Sequence, residues 1–318
     1  MHNQSTNYRY YFLLMEFSEV QEQQLLYFFI FLVMYFAVLT GNFLIIFAII
    51  FNHHLHTPMY FFLLNLAIQD LVAISVILPK SMANILMNTR YISYFGCICQ
   101  VFFLVFFLGS DLWLLTVMAY DRYIAICNPL QYKQIMNKQA CIYMILAVWI
   151  SSLLNGLLNT YFIFGTSFCS NMINQFFCEI PKLLKLSCTG INKNEIKVLM
   201  VMSALAFVCF FFILYTYVFI FTAVLKIHSL EGRKKAVSTC LPHLIVVSIF
   251  LFSGFFAHLK PSSTSLDFIS TLLYCIAPPF LNPIIYSMRN RDIKIALSKV
   301  LNIRKMYKKI SNIKCISG

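Results

Sequence analysis

Leu25-Leu26-Tyr27-Phe28-Phe29-Ile30-Phe31-Leu32-Val33-Met34-Tyr35-Phe36-Ala37-Val38-Leu39-Thr40-Gly41-Asn42-Phe43-Leu44-Ile45-Ile46-Phe47-Ala48-Ile49-Ile50-Phe51 holds no charged side chain. A spanning helix needs about 20 mostly apolar residues, so this run is long enough to cross a bilayer and to tilt within it. It is too long for the apolar core of a signal peptide, and it lacks a basic leader. The segment before it is polar and carries Glu16, Glu19 and Glu22. The run therefore reads as a membrane helix that also directs insertion.

Further stretches downstream share this character. Together with the first they cover roughly residues 25–51, 58–86, 95–127, 141–164, 197–226, 238–260 and 268–289. The chain of 318 residues is 60% hydrophobic and 11% charged, with a mean hydropathy of +0.78. A soluble domain carries roughly 25% charged residues, so this chain cannot cover a water-facing surface. The expected fold is an all-α integral membrane bundle of seven transmembrane helices. It divides into an N-terminal segment 1–24, a helical domain 25–289 and a tail 290–318.

The net charge of +13 would suggest nucleic acid in a soluble protein, but its placement points elsewhere. With the N-terminus outside, Lys133, Lys138, Arg233, Lys234 and Lys235 fall in inner loops. Arg289, Arg291, Lys294, Lys299, Arg304, Lys305, Lys308, Lys309 and Lys314 follow the last span. Outer segments hold fewer basic residues, among them Arg9, Arg90 and Lys182. Excess Lys and Arg mark the cytoplasmic side, so the positive charge sets orientation. Ile293, Ala296, Leu297, Val300 and Leu301 recur at helical spacing after the last span. That spacing predicts a short amphipathic helix on the inner leaflet, drawn to anionic lipid. Cys315 in the tail is a weak acylation candidate.

Asp70 and Asp111 stand deep in apolar runs, where an unpaired charge costs at least a few kcal/mol. They are expected to face the bundle interior, with Asn42 and Asn282 as polar neighbours. The third run ends in Met118-Ala119-Tyr120-Asp121-Arg122-Tyr123-Ile124-Ala125-Ile126-Cys127. An Arg at the membrane boundary needs a partner or water, and Asp121 beside it can hold it. A plain snorkelling Arg at the inner interface is the bland alternative. Pro283 removes a backbone hydrogen bond from the last run and permits a kink.

The ten-residue run around Arg122 resembles the odorant-receptor form of the Asp-Arg-Tyr motif of rhodopsin-like G-protein-coupled receptors. Other blocks agree in order. Gly41-Asn42 matches the first helix. Leu55-His56-Thr57-Pro58-Met59-Tyr60-Phe61-Phe62-Leu63-Leu64-Asn65-Leu66-Ala67, followed by Asp70, looks like the entry to the second. Lys235-Ala236-Val237-Ser238-Thr239-Cys240 with His243-Leu244 looks like the start of the sixth. Pro279-Phe280-Leu281-Asn282-Pro283-Ile284-Ile285-Tyr286-Ser287-Met288-Arg289-Asn290 resembles the end of the seventh. The resemblance runs from residue 3 to about residue 295 and is to vertebrate odorant receptors of the tetrapod-type class.

The resemblance implies a receptor that binds a small volatile and activates a stimulatory heterotrimeric G protein, raising cAMP, at the plasma membrane. It implies an inner switch of Asp121, Arg122, Tyr123, Tyr217, Asn282, Pro283 and Tyr286, with Tyr217 and Tyr286 facing Arg122. Asp70 and Asp111 would share a sodium ion or a proton, or a water-filled network without an ion. The family usually has Glu where Asp111 stands. Cys97–Cys178 would be the shared receptor disulfide and Cys169–Cys188 a second one within the outer loop; sequence alone does not fix connectivity. Asn3 in Asn3-Gln4-Ser5 is a glycosylation candidate. The family often carries His where Gln175 stands in Gln175-Phe176-Phe177-Cys178-Glu179, so no metal ligand is expected here. His53, His54 and His56 fall in an inner loop and are no better candidate.

Counting from the anchor motifs assigns a pocket among helices three, five, six and seven. Its expected lining is Leu104, Val105, Leu108 and Gly109; Met202, Leu205 and Ala206; Leu251, Gly254, Phe255 and His258; and Leu272 and Cys275. Such a lining suits a small lipophilic ligand held by few hydrogen bonds. His258 is the expected polar handle, or else an interface residue bonded to loop water. Phe250-Leu251-Phe252 replaces the family's Phe-Tyr-Gly, which removes a hydroxyl from the pocket floor. A transporter or channel would call for inverted repeats, broken helices or a polar pore. An enzyme would need a metal-ligand motif or nucleophile constellation. Neither pattern is visible, and no cofactor or catalytic residue is expected.

Overall fold

The computed structural model describes residues 11–15, 20–188, 193–259, 273, 275–289 and 292–299. The spanning helices are α1 (Gln21–Phe51), α2 (Pro58–Leu86), α3 (Tyr94–Cys127), α5 (Lys138–Phe164), α7 (Lys193–Leu225), α8 (Leu230–Leu259) and α9 (Ala277–Arg289). The first six of these are long and apolar enough to cross a membrane. The outer part of the expected seventh span, from residue 268, lies largely outside the described residues. Two short helices sit in loops: α4 (Tyr132–Ile135) at one end of the bundle, the inner end of the expected topology, and α6 (Ile180–Leu184) at the opposite, outer end.

Local chemistry sets the helix ends. Pro58 opens α2 at its first turn, where its missing N–H costs nothing. The Ser93 hydroxyl accepts from the Gly96 N–H at 3.0 Å to start α3, and Asn137 accepts from the Ala140 N–H at 2.9 Å to start α5. Both caps satisfy donors that a helix start leaves unpaired. Thr40-Gly41 sits where α1 meets α9. A Cβ on Gly41 would lie 2.8 Å from Pro283 Cβ, so only glycine allows this approach.

The sixth span starts earlier than hydropathy suggests. It begins at Leu230, not near 238, so the helix takes in the charged residues Glu231, Arg233, Lys234 and Lys235. Arg233 on that extension donates to the carbonyls of Leu225 (3.1 Å) and Ile227 (3.2 Å), capping the end of α7.

The outer face carries a small sheet that an all-α reading does not foresee. Tyr11–Leu14 (β1) is its central strand, antiparallel to Tyr91–Ser93 (β2) and parallel to Met172–Ile173 (β3). These strands are too short to show alternation in the sequence. Phe12 and Leu14 on β1 are buried with Ile92, Ile173 and Leu183. The strand thereby ties the N-terminal segment to the loops that carry β2 and β3.

α3 is the central helix, touching α2, α5, α7 and α8, while α1 packs on α2 and α9. Large apolar side chains such as Val33, Phe36, Phe47, Leu154, Phe211 and Val218 are exposed around the bundle. Left in water they would cost about 25 cal/mol per Å²; in lipid they cost nothing. The helix at 292–299 turns Ile293 and Ala296 into the inner core, with Leu55, Tyr60 and Tyr286. Part of the expected lipid-facing stripe therefore packs on protein. Tyr60 fastens this helix by donating to Asp292 Oδ2 at 3.1 Å.

Candidate ligand pocket and switch

The α3 residues Leu104, Leu108 and Asp111 follow one another at helical spacing and line a cavity between α2, α3 and the seventh span. Ala73 and Ile77 of α2 and Cys275, Pro278 and Pro279 form the opposite walls. The lining is apolar apart from the carboxyl of Asp111. The expected position among helices three, five, six and seven takes in residues 253–274, which lie largely outside the described residues. On α3, residues 105 and 109 lie about 100° from 104 and 108. Val105 packs in the outer cluster with Ile163 of α5. Gly109 faces α5, where a Cβ would lie 3.1 Å from Asn155 Nδ2. Leu251 packs against the inner core. Met202 and Ala206 are half-buried, and Leu205 is 40% exposed. Phe102–Phe106 and Phe103–Phe107 stacks occupy the outer part of α3. The side chains of Gly254, Phe255 and His258 lie outside the described residues, as do Leu272, Asn3 and Cys315. Ala73 and Ile77 escaped the sequence reading, yet they continue the face of α2 that buries Asp70, at three and seven residues beyond it.

Below the cavity lies a polar node. Asn282 Nδ2 donates to Asp70 Oδ2 at 2.9 Å. Asn42 Nδ2 donates to the Val38 and Pro279 carbonyls at 3.0 and 3.1 Å, tying α1 to the seventh span. The Gln69 amide, oriented to satisfy its neighbours, donates to Ser110 Oγ (2.9 Å) and Asp111 Oδ1 (3.2 Å). It also accepts from Trp149 Nε1 at 3.1 Å. Three buried oxygens, Asn42 Oδ1, Asp70 Oδ1 and Asn282 Oδ1, have no hydrogen-bond partner among the described residues. Such orphans need a cation or water.

At the inner end, Arg122 donates to Asp121 Oδ2 from Nη2 at 2.6 Å and from Nε at 3.1 Å. Asp121 is fully buried, and its other oxygen accepts from the Tyr132 hydroxyl at 2.7 Å. Burial, and then the charge of Asp121, push the Tyr132 hydroxyl well above its usual range, so it stays a donor. Tyr123 packs edge-on against Phe219 of α7. Tyr217 does not bond to Arg122. Its hydroxyl is 2.6 Å from His243 Nδ1, while His243 Nε2 is 3.0 Å from the Leu115 carbonyl. A carbonyl only accepts, so Nε2 carries the proton and the Tyr217 hydroxyl donates to Nδ1. One histidine thus joins α3, α7 and α8. The buried Tyr286 hydroxyl has no partner among the described residues. Neither Tyr132 nor His243 is among the residues expected to form the switch. Their signal is weak, since a lone Tyr in a loop and a His in an apolar run have bland readings.

Over the cavity, the loop Gln175–Cys178 plugs the outer end. Phe176 and Phe177 are buried beside Phe31, Ile77, Leu104 and Cys275. Disulfides join Cys97 to Cys178 and Cys169 to Cys188. Gln175 holds the loop by donating to Glu179 Oε1 at 3.1 Å and by accepting the Met15 N–H at 2.9 Å.

A family model described as olfactory receptor matches residues 31–304. Olfactory receptor 14A16 of Homo sapiens is 47% identical over 294 residues, covering 91% of this chain and 95% of that one. Olfactory receptor 14J1 of Homo sapiens is 46% identical over 295 residues, covering 92% of each. The crystal structure of squid rhodopsin superposes with a TM-score of 0.70 at 18% identity, over 89% of this chain and 82% of that one. That likeness establishes a seven-helix fold and nothing finer. The sequence relatives are membrane receptors, not enzymes. On the matched length and the identity to these relatives, the chain belongs to the olfactory receptor family.

Proposed function

We propose that this chain is an odorant receptor of the plasma membrane that binds a small lipophilic volatile and activates a stimulatory heterotrimeric G protein, raising cAMP. One observation carries the reading: in a chain of the olfactory receptor family, an apolar cavity of about 10 Å³ with a single carboxyl, Asp111, stands above a polar node in the bundle core, a gap that a ligand must widen to enter. A ligand there would press on α2, α3 and the seventh span, the elements that also bear the node. The N-terminus lies outside, with a glycan on Asn3, and the tail 290–318 lies inside. Leu104, Leu108 and Cys275 are the expected residues that meet the ligand from the cavity wall.

Signalling is read as a two-state rearrangement. The resting state holds Arg122 on Asp121 and holds α8 inward through His243. Ligand binding favours a state in which the inner end of α8 swings out and Arg122 is released to face the G protein. Asn282, Pro283 and Tyr286 supply the hinge of the seventh span. Asp70, Asp111, Asn42 and Asn282 offer the hard oxygen donors that a sodium ion takes, and its departure would accompany activation. The test is cAMP in cells displaying the receptor at their surface, challenged with a broad volatile panel. A dose-dependent rise that Arg122→Ala abolishes is expected. Silence across the panel at good surface levels contradicts the ligand reading, and normal signalling by Arg122→Ala contradicts the switch.

A further inference from the structure

Two adjacent buried polar residues of α2 have different neighbours. Asp70 turns to Asn282 of the seventh span. Gln69, about 100° away around the helix, is 3% exposed and turns to α3 and α5. Its amide meets the Trp149 indole at 3.1 Å, Ser110 Oγ at 2.9 Å and Asp111 Oδ1 at 3.2 Å. The indole fixes the rest. An indole N–H only donates, so Gln69 presents its oxygen to Trp149 and one N–H each to Ser110 and Asp111. The Ser110 hydroxyl passes its own hydrogen to the Phe107 carbonyl at 3.0 Å, and so can accept from Gln69. Turning the Gln69 amide over would set its N–H groups against the indole N–H.

Asp111 Oδ1 is thereby an acceptor, and it is spent within the protein. With one oxygen held, the carboxyl plane cannot turn freely. Among the described residues nothing donates to the other oxygen, Oδ2. Asp111 borders the inner cavity, whose other walls include Ala73, Val76 and Leu108. A space of about 10 Å³ takes one water, or the hydroxyl or amino head of a ligand whose apolar body spreads the walls. An acceptor on an otherwise apolar wall selects for a donor, because a carbonyl brought against it leaves both groups unpaired.

We propose that Gln69 is a positioning residue that sets ligand specificity: held by Trp149, it occupies one oxygen of Asp111 and leaves the other to the inner cavity as an acceptor. The receptor then prefers ligands with a hydrogen-bond-donating head, an alcohol or an amine, over carbonyl compounds of the same skeleton. Gln69 itself does not touch the ligand; it acts through Asp111. This deepens the reading of the inner cavity as the odorant pocket and rests on it.

The test compares heads on one skeleton. Cells displaying the full-length receptor are challenged with hexanol, hexylamine and hexanal, with the matching octyl set, and with benzyl alcohol, benzylamine and benzaldehyde. The readout is the potency ratio of alcohol to aldehyde in cAMP, which cancels differences in surface level between variants. The parent should favour the alcohol about tenfold, the weight of one hydrogen bond to a carboxylate. In Asp111→Asn, Gln69 still donates, so the new amide must give its oxygen to Gln69 and its N–H groups to the cavity. The preference should turn over, toward the aldehyde, by about as much. Adding Gln69→Leu to Asp111→Asn frees that amide to face either way, and the ratio should fall to within about twofold of one. A reversal that persists without Gln69, or an Asp111→Asn receptor that still favours the alcohol, overturns the proposal. So does a parent that answers the probes with no head preference, or that answers a broad volatile panel but none of the probes. Silence to both is failure of the receptor reading itself. A second measurement needs no agonist. Gln69→Leu should lower the melting temperature of the detergent-solubilised receptor by a few degrees, and by roughly half as much or less in an Asp111→Leu background. Equal losses overturn the link between the two side chains, whatever the ligand.

Discussion

The inner and outer halves of the bundle are held by different kinds of bond. At the inner end, side chains make the ties: both oxygens of Asp121 accept from side chains, and His243 bonds to the Tyr217 hydroxyl and the Leu115 carbonyl. Each such bond contributes about 1 kcal/mol net, or somewhat more where a charge takes part. Each can be exchanged for another of similar strength, which suits a switch. At the outer end, disulfides and backbone hydrogen bonds hold the loops: Cys97–Cys178, Cys169–Cys188 and the three strands around Tyr11–Leu14. Backbone bonds leave the side chains free to differ, which suits a surface that must vary with its ligand.

The largest break in that contrast is covalent. Cys97→Ala or Cys178→Ala opens a disulfide spanning 81 residues, a loss of about 4 kcal/mol in the chain-entropy account. Surface display should collapse, measured by flow cytometry on intact cells. Cys169→Ala opens a span of 19 residues and should cost about 3 kcal/mol, leaving some receptor at the surface. An equal loss in both would mean that the loop, and not its tether to α3, is what folding requires.

The inner half should respond in signalling before it responds in folding. Asp121→Ala leaves Arg122 at the membrane edge without its partner, a change of about 3–5 kcal/mol if the guanidinium stays buried. Release of Arg122 toward water relieves that cost, so raised basal cAMP is the expected outcome. Tyr132→Phe removes one hydrogen bond and keeps the ion pair, so its rise should correspond to about 1 kcal/mol, roughly fivefold in the two-state equilibrium. Basal cAMP at matched surface levels measures both. A Tyr132→Phe receptor louder than Asp121→Ala would reverse the roles assigned to the two partners.

How legible each half was follows from the same physics. Asp121, Arg122, Asn282 and Pro283 are polar or helix-breaking groups in apolar runs, so they stand out, and the structure places the first two in one ion pair. The cost of a buried carboxylate requires polar company for Asp70, and Asn282 supplies it at 2.9 Å. The outer half offered no such contrast. Strand β1 reads as four apolar or aromatic residues before a membrane helix, and nothing in them announces a sheet. On α3 a step of one residue turns the face by about 100°, so counting from an anchor motif does not separate one face from the next. Val105 and Gly109 are neighbours in sequence of Leu104 and Leu108 but not neighbours in space.

Gly41 links the halves, since α1 touches the seventh span there. Gly41→Ala places a methyl 2.8 Å from Pro283 Cβ, against two rigid elements. Overpacking of this kind costs about 1–3 kcal/mol. Thermal stability of the detergent-solubilised receptor should fall by a few degrees, and Gly41→Val should lower it further. An Ala variant as stable as the parent would mean that α1 shifts freely at this point, and that the seventh span does not depend on it.

The smallest expected effect decides where the ligand sits. Counting from the anchor motifs assigns Leu205 to the pocket, and its side chain on α7 is 40% exposed. Leu205→Ala should therefore change neither surface level nor agonist potency by more than about 0.5 kcal/mol, or roughly twofold. Ile77, absent from the counted lining, is 3% exposed and forms part of the cavity wall. Ile77→Val removes one methyl group, about 0.5–1.5 kcal/mol of contact, which should move agonist potency severalfold at unchanged surface level. Dose–response curves for any volatile found to activate the receptor make the comparison. If Leu205→Ala shifts potency and Ile77→Val does not, the ligand lies between α3 and α7 after all. The cavity between α2, α3 and the seventh span would then belong to the ion-and-water node alone.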